Sequence, residues 1–116
     1  MTKVFISQPM TGFTEEDILF KRQIEKTKIR MAYGDDVEFA DNYIPEDIRY
    51  REELRTSYTN KYNWDIHWIS EAIKCMADCD ILWLTEGWQD SKGCNIEREV
   101  ADTYGIEVLY PAPKKD

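Results

Sequence analysis

The residues of this chain best placed to do chemistry are a glutamate and the short loop before it, Ser91-Lys92-Gly93-Cys94-Asn95-Ile96-Glu97. Ahead of them, Cys79 to Thr85 reads as a buried strand, and Gly87-Trp88 opens a loop. Asn95 to Tyr104 reads as a helix that carries Glu97 in its first turn and ends at Gly105. Strand, polar loop and helix in that order bring a carboxylate and free backbone N–H groups to the carboxyl end of a strand, where open α/β sheets bind ligands. The helix macrodipole holds a carboxylate there ionised, and the same amides, with the Ser91 hydroxyl and the Gly93 N–H, can accept a phosphate. The plain alternatives are a surface glutamate that favours a helix start and, for Ser91, an N-cap hydroxyl. A second segment of this kind opens the chain, where Val4-Phe5-Ile6-Ser7 runs into Gln8-Pro9-Met10-Thr11-Gly12. Two strand–loop–helix units can face each other across a crevice, which points to a small-molecule protein that handles nucleotides.

Other elements must hold these two segments in place. Lys3 to Ser7 is a continuous apolar run, as in a parallel strand buried on both faces. Pro9 and Gly12 make the following stretch a loop, and Thr14-Glu15-Glu16-Asp17 is a helix start with a capping hydroxyl and first-turn acids. Ile18, Leu19, Phe20, Ile24 and Met31 are expected to form that helix's apolar face, with Gly34 as its stop. Val37-Glu38-Phe39 is a second, weaker strand. Residues 41–62 are charged, contain Pro45 and four tyrosines (Tyr43, Tyr50, Tyr58 and Tyr62), and are expected to form a lid or binding loop with a short helix around Asp47 to Leu54. Those tyrosines can stack on a nucleobase or pack against the domain or another subunit. Trp64 to Met76 returns to helical period, with Ile66, Ile69, Ile73 and Met76 in one stripe, and Trp64 and Trp68 read as core or interface. Ile106 to Tyr110 is the last strand, stopped by Pro111 and Pro113 before a frayed Lys-Lys-Asp tail. Strands alternating with helices predict a single α/β domain over residues 1–116: a flavodoxin- or Rossmann-like three-layer sandwich with four parallel strands, or five.

The totals exclude several classes. A net charge of -8 over 116 residues and a pI near 4.7 leave no basic face for a nucleic-acid polymer. The acids are interspersed, which weighs against a DNA mimic. Cys75, Cys79 and Cys94 are an odd count with no leader before them, and read as reduced thiols of a cytoplasmic protein. With His67 as the single histidine, a zinc site would lack ligands, so no metal is expected. No apolar run approaches the roughly 20 residues of a membrane span.

The Val4-to-Gly12 segment, paired with Gly87-Trp88 and Ser91-Lys-Gly93-Cys-Asn-Ile-Glu97, resembles the nucleoside 2-deoxyribosyltransferase-like superfamily. That superfamily includes 2'-deoxynucleoside 5'-monophosphate N-glycosidases, and the closest likeness is to its short members, often carried by phages. The resemblance implies cleavage or transfer of the N-glycosidic bond of a 2'-deoxynucleoside or its monophosphate, no cofactor, a homodimer or larger homo-oligomer, and a cytoplasmic location (the host's, for a phage protein). It places the nucleophile on Glu97 and a phosphate-holding serine on Ser91. Ser7, Gln8, Pro9, Met10, Gly12 and Gly93 would hold sugar and phosphate, and Trp88 or a loop tyrosine would face the base. A carboxylate suits this role, as in retaining glycosidases. Two positions depart from the pattern. Phe5 stands where the enzymes have a tyrosine, so a hydroxyl touching the nucleophile is expected to be missing. Ala72 stands where they carry the acid that protonates the leaving base. Glu71 and Asp65 lie on the same helix, though a neighbouring helical residue points about 100° away, and Asp41 and Glu86 are other candidates. Loss of such an acid lowers rates by typically about 10²–10⁴-fold, which leaves open a nucleotide-binding protein that no longer turns over, or, further off, an acidic interaction protein.

Overall fold

The computed structural model describes residues 1–56 and 61–110. Tyr58, Pro111, Pro113 and the Lys-Lys-Asp tail lie outside the described residues. The elements run β1 (Thr2–Ser7), α1 (Glu15–Tyr33), β2 (Val37–Phe39), α2 (Glu46–Thr56), α3 (Trp64–Met76), β3 (Ile81–Leu84), a 3-10 turn (Trp88–Asp90), α4 (Lys92–Tyr104) and β4 (Glu107–Leu109). The four strands form one parallel sheet in the order β2-β1-β3-β4. The chain leaves β1 in one direction to reach β2, and later crosses to β3 on the other side of β1. The gap between the carboxyl ends of β1 and β3 is therefore the topological switch point of a doubly wound sheet.

Side-chain alternation along the central strands splits the core into two layers. Val4 and Ile6 of β1 and Ile81 of β3 pack with Ile29 of α1 on one face. Phe5, Leu82 and Leu84 pack with Met76 of α3 and with Cys94 and Ala101 of α4 on the other. Helices on opposite faces for the two chain directions are what right-handed crossovers require. The result is the expected flavodoxin- or Rossmann-like sandwich with four strands.

Two expected helical faces are corrected. In α1 the buried residues are Ile18, Arg22, Glu25 and Ile29, while Phe20 and Met31 are 68% and 82% exposed and Leu19 and Ile24 are exposed as well. The buried stripe recurs at helical spacing but carries charge at its centre. Glu25 is accommodated because its Oε1 accepts from the Trp83 indole at 3.2 Å and its Oε2 pairs with Lys28 at 3.0 Å. In α3, Ile66 is 62% exposed, so the stripe that meets the core begins further along, and Met76 is its buried end. Thr14 caps α1 by accepting from the Asp17 N–H, and Gly34 ends it at φ 77°, as expected. The helix foreseen around Asp47 to Leu54 is α2. No helix among the described residues is long and apolar enough to cross a membrane.

Candidate active site

Ser7 is the last residue of β1, on the same face as Phe5, and so points toward α4. Its hydroxyl donates to Glu97 Oε1 at 2.6 Å, inside the protein. Ser7 is 1% exposed and Glu97 8%. Chain order hides this pairing, and it supplies the hydroxyl on Glu97 that Phe5 cannot; Phe5 is fully buried in the α3/α4-side core. Glu97 is also later in its helix than expected. Ser91 is the N-cap, accepting from the Cys94 N–H at 3.2 Å, and α4 starts at Lys92. Glu97 is thus in the second turn. Gly93, a poor helix former, obscures the true start in the sequence.

That placement alters the electrostatics. The macrodipole acts within the first turn and does not hold Glu97 ionised. Burial dominates instead and pushes its pKa up to about 7, against the hydrogen bond from Ser7 and the positive charge of Arg22, which both pull it down. Near neutral pH this carboxyl is divided between an ionised nucleophile or base and a neutral acid. Cys94, buried beside Ser7 and Ser91, has its thiol pKa raised by the same desolvation.

Arg22 is the residue the sequence reading missed. It is 5% exposed, and its guanidinium lies in the fields of Asp41, Glu97 and Tyr43, which oppose the lowering of its pKa by burial. One arm donates to Asn42 Oδ1, and the Asn42 amide in turn donates to the Ile6 carbonyl at 3.0 Å, beyond the end of β2. The other arm, Nη1, is buried without a hydrogen-bond partner among the described residues, as is Gln8 Oε1. A buried guanidinium arm left unpaired is unfavourable by itself and is a ready donor for an anion or hydroxyl. The signal available in sequence was a charged residue four positions after Ile18 and seven before Ile29.

The other expected site residues fall around this centre. The Gln8 amide donates to the Ile18 carbonyl at 2.9 Å, which ties the loop after β1 to α1. Pro9 lies against Gly87, closing the gap between the loops that follow β1 and β3. Gly12 turns the chain at φ 87° on the surface, and Met10 lines an open cavity with Thr11, Phe13, Ile18, Tyr43 and Arg49. The cavity holds about 390 Å³ and runs along the first turns of α1 and α2. Tyr43, in the cavity wall, has its pKa raised to about 12 by burial and by its hydrogen bond with the Glu15 carboxylate. Gly93 lies against Ile69 of α3. Trp88 packs on Tyr110, ring centroids 5.4 Å apart, with the Arg98 guanidinium over it, at the edge of the core. Of the remaining tyrosines, Tyr62 bonds His67 Nδ1 at 2.6 Å within a cluster that includes Trp64 and Trp68.

The candidate acids also separate. Ala72 packs against the core, Glu71 pairs with Lys74 at 3.2 Å, and Asp65 and Glu86 are exposed. Asp41 is exposed as well, and its charge reaches Arg22, as that of Glu97 does. No group of three His, Cys, Asp or Glu side chains among the described residues is arranged to hold a metal.

Fold and site define a doubly wound α/β protein with a buried carboxylate, hydroxyl and guanidinium gathered at the switch point of its sheet. The chain belongs to the DUF4406 family, described as a domain of unknown function, which it matches over residues 2–110. Comparison with the curated proteins and with the solved structures gives no match.

Proposed function

We propose that this protein cleaves or transfers the N-glycosidic bond of a 2'-deoxynucleoside or its 5'-monophosphate. The observation that carries the proposal is the buried Ser7–Glu97 hydrogen bond beside Arg22. It fixes one carboxylate oxygen and leaves the other to attack. In the first step that oxygen forms an ester bond to C1' of the sugar. The C1'–N bond breaks with its electron pair going to the base, which takes up a proton. In the second step water, or the N–H of an acceptor base, attacks C1'; Glu97 departs as carboxylate and the attacking group loses its proton. Asp41, whose charge reaches Arg22 as that of Glu97 does, is our candidate for protonating the leaving base. Arg22 Nη1 and the amides of Lys92 and Gly93, which have no intrahelical acceptor, are the donors available for sugar or phosphate oxygens.

Only the ionised carboxyl attacks, so base release should rise with pH through about 7, the pKa that burial gives Glu97. The test is chromatographic detection of free base from deoxynucleosides and their monophosphates, with and without an acceptor base. Release that Glu97→Ala abolishes supports the proposal, and no release from any substrate refutes it. A second reading, a nucleotide-binding protein without turnover, draws support from Ala72 being packed into the core where the acid would stand. It predicts a ligand-dependent thermal shift with no base released. The same superfamily likeness brings a cytoplasmic homo-oligomer, which would cover the exposed Leu19, Phe20 and Ile24 of α1.

A further inference from the structure

Asn42 lies three residues beyond the end of β2, where the ladder to β1 passes from backbone to side chain. The Ala40 N–H still donates to the Val4 carbonyl at 2.9 Å. In a parallel pair the next carbonyl of β1 on that edge is two residues on, at Ile6, and it accepts from the Asn42 side-chain amide at 3.0 Å. The other end of the same amide, Oδ1, accepts from Arg22 Nη2. Both ends of one planar group are thus committed, one to the strand residue before Ser7 and one to the guanidinium. Arg22 is buried, and its other arm, Nη1, has no hydrogen-bond partner among the described residues. The bond to Asn42 is therefore what ties the plane of the guanidinium to the sheet. Asp41 and Tyr43, on either side of Asn42, act on the charge of Arg22, as Glu97 does.

Resting on the reading of Glu97 as nucleophile, the geometry points to Asn42 as the positioning residue of the site: it holds the Arg22 guanidinium to the carboxyl end of β1, in a fixed relation to Ser7 and Glu97. The argument is one of donors and acceptors. A guanidinium only donates and a peptide carbonyl only accepts. The group between them must accept at one end and donate at the other, which an amide does and a carboxylate or a leucine does not. Glu97 depends on the result, because the charge of Arg22 favours its ionised form and acts from a constant place only while the guanidinium is held. Two other groups meet this pair. Lys26 feels the like charge of Arg22, and the Cys94 thiol feels the carboxylate of Glu97. A residue that merely capped the Ile6 carbonyl would use half of the amide and leave Glu97 indifferent to it.

The experiment is a double-mutant cycle on the full chain, with Asn42→Leu and Arg22→Met made singly and together. Carbon NMR of the Glu97 carboxyl, assigned by its loss in Glu97→Gln, follows its titration with no substrate present. An opposite charge nearby lowers a carboxyl pKa by about one unit or more. Asn42→Leu, which frees the guanidinium, should therefore move the midpoint up by about half a unit, and should move it no further once Arg22 is replaced. Urea unfolding should show the double variant less destabilised than the sum of the single ones, since Asn42→Leu alone leaves a buried guanidinium unpaired. An unmoved midpoint overturns the assignment, as does a shift that persists in the Arg22→Met background, or strictly additive destabilisation. Asn42→Ser takes the place of the leucine variant, with the same outcomes, should that variant not fold. Failure of the glycosyl-transfer proposal looks different: the shift and the coupling persist while the native protein releases no base.

Discussion

Replacing Glu97 with glutamine removes an ionisable group from a place where ionisation is unfavourable, while keeping its size and an oxygen that can still accept from Ser7. A carboxyl whose pKa rises from 4.5 to about 7 on folding binds its proton more tightly in the native state. Its stabilising effect is complete below pH 4.5 and is lost as pH climbs through 7. At pH 8 the ionised native protein is therefore less stable than one with a neutral side chain there by about 3 kcal/mol, at 1.36 kcal/mol per pKa unit. For a domain of this size that is roughly 10 °C in melting temperature. Thermal unfolding of both proteins from pH 4 to 8 measures it. The two curves should coincide at the acid end and separate steadily above pH 5, with Glu97→Gln the more stable. Parallel curves, or a variant less stable at pH 8, would refute the buried, proton-binding carboxyl and the nucleophile built on it.

Ser7→Ala should raise the Glu97 pKa further, since the lost hydrogen bond favours the ionised form. The rising limb of base release then moves to higher pH, with the rate at pH 6 down about tenfold; an unmoved limb in the pH–rate profile contradicts this. Arg22→Met should destabilise the protein by about 3 kcal/mol at pH 8 and less at pH 5, where Glu97 is largely protonated, as read from urea midpoints at each pH. Ile29→Ala should cost about 2–5 kcal/mol, whereas Phe20→Ala stays within about 0.5 kcal/mol, and urea unfolding distinguishes the polar-centred buried stripe of α1 from the apolar one read in sequence.

The strands and their order of alternation with helices were legible because parallel strands buried on both faces appear as short apolar runs. Val4 to Ile6 and Ile81 to Leu84 contain no polar residue to confuse the pattern. The faces of α1 were not legible, since its buried side carries Arg22 and Glu25 and its exposed side carries Phe20 and Met31. A helix that feeds charge into a site inverts the usual polarity signal. In the candidate site Glu97 and Ser7 were both picked out, but for separate roles. Their contact spans ninety positions of chain and follows from two alignments that no local pattern reveals: the register of β1 with β3, and the start of α4 at Lys92. Arg22 became visible only when the end of β2 was placed beside it.

Asn95 reaches back from α4 to the carbonyls of Trp88, Gln89 and Ser91, at 3.2, 3.0 and 2.8 Å. One amide thereby clasps the 3-10 turn to the helix that bears Glu97. The loop that leaves β3 and the helix that carries the carboxylate are thus joined by a polar side chain as well as by the packing of Trp88 on the core around Cys94.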